Sequence, residues 1–195
     1  MNKLITTFLI VCTMFFGAPE YTEAQNTDFP VVSKAEEITV IESDYTTPQD
    51  YTTSETRTEL KLPSRSNGSF KTYMGYKTIT NKNSKQYEMQ QKAYTDENGF
   101  RIYDDCYMVA MGTYYAKECG VKFAITLEDG TEFYVITGDI KQNIHTNETN
   151  QYVPHNGNII EFIVDTKKIP STCRKMGDMS YEGLRGGIIK IERVD

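Results

Sequence analysis

Two alternating runs, VKFAITL and EFYVIT, stand on either side of EDGT and form the clearest element of the chain. Alternation at period two marks strands, and Asp129-Gly130 fits a tight type I′ hairpin turn. Pairing across such a turn puts Val121, Phe123, Ile125 and Leu127 on one face with Tyr134 and Ile136. Ala124, Phe133 and Val135 then share the other face, so both faces are partly apolar, as in a closed or sandwiched sheet. Further strands are predicted in FKTYMGYKTIT, CYMVAMGTYY, NIIEFIVD and IIKIERV, with an Asn-Gly turn in DENGFRIYDD and a late turn in MGDMSYEGLRGG. One short helix is predicted in NSKQYEMQQKAY, with Asn83 or Ser84 as its N-cap. Short, closely spaced strands with glycine turns predict a mainly β fold, a small barrel rather than a parallel α/β sheet.

The pattern changes character towards the N-terminus. MNK followed by LITTFLIVCTMFFGA has the charge and apolar core of a signal peptide, and Thr22-Glu23-Ala24 places small residues where a signal peptidase reads them. Cleavage is expected after Ala24, leaving no stable membrane span, because the apolar run falls short of the ~20 residues a spanning helix needs. Val11 before Cys12 does not fit a lipidation signal. Residues 25–68 are rich in Thr, Ser, Glu, Asp and Pro and bury too little apolar surface to offset ordering entropy. They are expected to be a flexible acidic linker. The chain therefore divides into a signal peptide (1–24), a linker (25–68) and a β-barrel domain (69–195).

Composition narrows the function. A net charge of −6 and the absence of a basic stripe argue against nucleic acid as a partner. Apolar residues make up 38%, and the 14 tyrosines suit a polar, β-rich surface protein, expected to be exported and monomeric. Cys106, Cys119 and Cys173 follow the signal peptide; an oxidising compartment permits one disulfide among them, and none stands in a metal-binding or nucleophile motif.

Candidate chemistry gathers in GDIKQNIHTNETNQYVPHNGNIIEFIVD, which holds both histidines of the chain. His145 and His155 are separated by a loop-like TNETNQYVP that matches no zinc motif, so neither a metal nor another cofactor is expected. They read as loop histidines that make ordinary hydrogen bonds or contact a sugar. Alternation along NIIEFIVD puts Glu161 and Asp165 on the face opposite Phe162 and Val164. A carboxylate at Glu161, within an apolar strand, is a candidate general acid. Asp165 lies roughly 13 Å along the same strand, too far to pair with it. A partner carboxylate must come from another strand, and Asp139 is the candidate.

This order of features resembles the three-aspartate domain, a double-psi β-barrel of membrane-bound lytic transglycosylase A and of small exported cell-wall proteins of Gram-positive bacteria. Val109, Ala110 and Gly112 resemble its VA…G segment, Gly138-Asp139 the start of its ADTGG-like strand end, and 157–161 (GNIIE) its GNxID segment. Ile140 and Lys141 stand where the family has glycines, and Glu161 where it has aspartate. The resemblance implies a six-stranded double-psi barrel and cleavage of peptidoglycan glycan strands by lytic transglycosylation. Glu161 would be the acid/base, Asp139 its partner and Asp165 a secondary group, with Tyr134, Tyr152, His145 and His155 contacting sugar. The substrate's own hydroxyl would supply the nucleophile, so one acid/base suffices. The alternative is a non-catalytic barrel module that binds cell-wall glycan or a surface partner.

Overall fold

The computed structural model describes residues 55–195. The expected signal peptide, the cleavage expected after Ala24 and the expected linker as far as residue 54 lie outside the described residues. Within them the protein is mainly β. Nine strands join one mixed sheet, with α1 (Lys85–Lys92), α2 (Ser171–Met176) and three short 3-10 turns beside it.

The strands are β1 (Arg57–Glu59), β2 (Tyr73–Gly75), β3 (Tyr94–Thr95), β4 (Arg101–Tyr103), β5 (Cys106–Gly112), β6 (Lys122–Leu127), β7 (Glu132–Lys141), β8 (Glu161–Val164) and β9 (Ile188–Val194). The main path runs β1-β9-β6-β7-β5-β4-β3, and β8 joins at β5 and carries β2 on its far side. Two pairings are parallel, β5 with β7 and β2 with β8; the others are antiparallel.

The sheet is apolar on both faces. One face carries Val109, Met111, Phe123, Ile125, Phe133, Val135 and Phe162. Phe162 sits edge-on to Phe100 and Tyr107, with ring centroids 4.9 and 5.8 Å apart. The second face carries Cys106, Met108, Ile136 and Ile163, and α1 covers it through Met89. Ser84 caps α1, its Oγ accepting a hydrogen bond from the Tyr87 N–H at 3.2 Å.

Three expectations change. The β6–β7 hairpin forms, but Phe123 faces Val135 and Ile125 faces Phe133, one residue away from the register of a two-residue turn. The reason is the turn. Only Gly130 has positive φ, and the Leu127 N–H donates to the Thr131 carbonyl while the Gly130 N–H donates to Leu127. This is a three-residue loop with glycine in the left-handed position. A one-residue slip exchanges the faces, so Phe133 and Val135 join Phe123, whereas Tyr134 and Ile136 join the α1 side.

The end of the expected linker is also structured. Arg57–Glu59 pairs with β9, Leu60 and Leu62 pack on the core, and Gln151 Nε2 donates to the Lys61 carbonyl at 2.9 Å. Composition hides this because the edge of β9 supplies the backbone hydrogen bonds, while Leu60 and Leu62 pack on the core and Arg57 pairs with Glu132 and Glu192. Finally, nine strands replace the expected six, and α2 was not foreseen; Gly177 closes it with φ +67°.

Candidate functional site

The two candidate carboxylates are neighbours of one alanine. Ala110 on β5 is opposite Asp139 on β7 and opposite Glu161 on β8. Residues directly opposite in a ladder project to the same face, so both carboxylate side chains rise on the side that α1 covers. Two interstrand spacings separate their Cα atoms by about 10 Å. Both residues are half-buried.

A bulge makes this arrangement. Val109 pairs with Thr137, but Ala110 pairs with Asp139, so Gly138 is an extra residue in β7. Without it Asp139 would fall opposite Met111 and point into the other core. Glycine eases the packing at the bulge, because a Cβ there would lie 2.7 Å from Met108 Cε and 2.8 Å from Ile163 Cδ1, and those side-chain ends would have to shift.

The environments of the carboxylates differ. Asp139 Oδ1 accepts from its neighbour's Ile140 N–H at 2.9 Å and from Gln86 Nε2 of α1 at 3.3 Å. Among the described residues no side-chain hydrogen bond or ion pair holds the Glu161 carboxylate, whereas Asp139 is tethered. Lys141, one step beyond Asp139 on the same face, is buried, and desolvation pushes its amine down to about 8 despite the Glu161 charge nearby.

Loop 142–158 closes over the end of β5. The Asn150 carbonyl occupies the place that a side chain at position 112 would take, which explains the glycine there. That loop holds itself together through Asn147, whose Oδ1 accepts from the Gln151 N–H at 2.7 Å and the Tyr152 N–H at 3.1 Å.

The other expected site residues lie apart. Asp165 closes a turn, its Oδ1 accepting from the Lys167 N–H at 3.0 Å, while its own N–H donates to Gly99. Tyr134 is bound by Arg57, which lies over its ring and donates to its hydroxyl, so it has an intramolecular partner near the start of β7. His145 and His155 are exposed in loop 142–158. Among the described residues no group of three or more His, Cys, Asp or Glu is placed to hold a metal. Tyr152 and Tyr114 line a cleft of about 610 Å³ with Lys61, Arg65 and Gln151. A second cleft, of about 520 Å³, includes Ser66 and Asn156, and a third, of about 320 Å³, includes Tyr76 and Tyr87. None of these three is lined by Asp139 or Glu161.

The thiols offer no nucleophile. Cys106, Cys119 and Cys173 are free and buried, and burial pushes Cys119 and Cys173 up to about 11. No helix among the described residues is long and apolar enough to cross a membrane.

Sequence reasoning singled out Asp139 and Glu161, which the fold places opposite Ala110, but gave no role to Gln86, Lys141 and Asn158 around them. Alternation from Asp139 would have placed Lys141 on the same face; Gln86 reaches the site only through helix packing, which leaves no local signal. No protein family, curated protein or solved structure matches this chain.

Proposed function

We propose that this is an exported, cell-wall-active protein that cleaves the glycan strands of peptidoglycan by a single-carboxyl mechanism, on a barrel of the double-psi, three-aspartate type. One observation carries the reading: Asp139 and Glu161 flank Ala110 on one face of the sheet, although they come from different strands far apart in sequence. Glu161, with its carboxylate uncommitted, protonates the glycosidic oxygen. As carboxylate it then takes the proton of the sugar's own hydroxyl, which closes an anhydro ring. Asp139, fixed by Gln86, orients the sugar or the acid.

A second reading has its own support. The clefts around loop 142–158 lie away from the carboxylates, and Tyr114 and Tyr152 face one of them. That arrangement suits a non-catalytic module which binds wall glycan or a surface partner.

One experiment separates the two. The mature protein is incubated with purified peptidoglycan and the soluble products are examined for anhydro-muropeptides. Catalysis predicts their release, and predicts loss of release in Glu161→Gln and Asp139→Asn. Glycan retention without release, unaltered by either substitution, supports the binding module and removes the enzyme reading.

A further inference from the structure

Lys141 is a buried lysine that the mechanism above does not use. It is opposite Gly112 on β5, two rungs beyond the Asp139–Ala110–Glu161 row and so next to it on the same face. Continuing the antiparallel β5–β8 register places Ile159 on the far side of Gly112. The lysine side chain spans that distance: its Nζ donates to the Ile159 carbonyl at 3.4 Å. The space beside Gly112 is itself filled by the Asn150 carbonyl, so the reach is defined by its end points, Lys141 on β7 and the segment that leads into β8.

The ammonium has a second partner. Asn158, fully buried, satisfies its amide when Nδ2 donates to the Ile160 and Phe70 carbonyls and Oδ1 accepts from Lys141 Nζ at 2.9 Å. Lys141 thus grips 158 and 159, directly and through a side chain that itself grips 160. The next residue is Glu161. Among the described residues no carboxylate forms an ion pair with Lys141, so its burial is not explained by a salt bridge.

We propose that Lys141 is a positioning residue for the carboxylate pair, a strut from β7 to the segment leading into β8 that fixes where Glu161 stands relative to Asp139 and presents a positive charge to it. The inference rests on the glycan-cleaving role of that pair. The charged groups in the adjoining row of its face are Asp139, two residues earlier on β7, and Glu161 on β8; Lys122 and Glu192 stand on the same face on the far side of β7, and α1 contributes the neutral Gln86. The lowered lysine titration, raised back in part by Glu161, agrees with this placement.

The test has two arms on the full chain. In the first, lysines carrying a 13C label are titrated by NMR. The Lys141 resonance is expected to have its midpoint at about 8 in the parent protein, and Glu161→Gln is expected to lower it further because the charge facing the ammonium is gone. A midpoint unmoved by Glu161→Gln overturns the inference. This arm needs neither turnover nor a folded Lys141 variant. In the second arm, Lys141→Met is assayed for anhydro-product release. A misplaced acid predicts kcat reduced about tenfold or more with KM nearly unchanged, together with loss of any pH dependence of kcat near the lysine midpoint. Unchanged kcat and an unchanged pH profile overturn it. If the parent protein releases no product while the first arm still shows coupling, the proposed function fails and the strut remains.

Discussion

Gly112 is the position where a single methyl group tests the geometry most directly. A Cβ there would meet the Asn150 carbonyl, a backbone atom that cannot rotate out of the way. Gly112→Ala is expected to destabilise the protein by about 1–3 kcal/mol through overpacking and to loosen loop 142–158, measured as a lower urea midpoint and faster amide exchange at Asn150–Tyr152. Gly138→Ala meets only the ends of Met108 and Ile163, which can yield, and should cost less. Equal losses at the two positions would contradict this account. The same residues show what a sequence discloses. Glu161 was legible because a carboxylate breaks an apolar alternation. Asp139 was legible as a candidate, but its facing was not, because the bulge at Gly138 adds a residue that no local pattern records.

Among the elements, α1 was readable, with Ser84 as one of two candidate caps, because its signals are local. The β6–β7 hairpin was readable as an element but not in register, since Asp129-Gly130 serves both a two-residue turn and the three-residue loop that forms. β1 and α2 escaped because tertiary contact stabilises them: β1 draws its hydrogen bonds from β9, and α2 buries only Cys173. Helix α1 also matters to the site, since it carries Gln86 to Asp139. Ser84→Ala removes the cap at a cost of about 1 kcal/mol. The expected result is fraying of the first turn, seen as increased amide exchange at Tyr87. Protection at Tyr87 equal to that of the parent protein would show that packing alone holds the turn.

At the scale of the fold, two buried lysines among the described residues set an alkaline signature. Lys71 is fully buried, its Nζ donating to the Gly186 carbonyl at 2.8 Å, and desolvation brings it, like Lys141, down to about 8 from 10.5. Below about pH 8 both lysines are protonated in folded and unfolded chains alike, so the cost of burying their charge is constant and stability does not vary with pH through them. Above it the folded chain holds fewer protons than the unfolded one, so stability rises with pH. The thiols oppose this: Cys119 and Cys173 are held up to about 11, and the unfolded chain releases those protons first, from its ordinary 9. Burial also raises Tyr115, which acts in the same direction at higher pH. The balance is a gain of about 1 kcal/mol between roughly pH 8 and 9, then a plateau or decline. Urea unfolding under reducing conditions across that range checks it, and a steady fall from about pH 8 would show that the lysines titrate normally.

The pairing of β1 with β9 has a consequence in time as well as space. β9 lies between β1 and β6, so Arg57–Glu59 has no strand to join until residues 188–194 exist. A chain growing from its N-terminus can form the β6–β7 hairpin early, but it cannot dock β1 or cover the outer edge of β6. The sheet is thus completed late in synthesis, and a chain stopped before Ile188 should remain open to protease at 57–62. A truncated chain that protects those residues as well as the complete one does would mean that β1 has another place to dock.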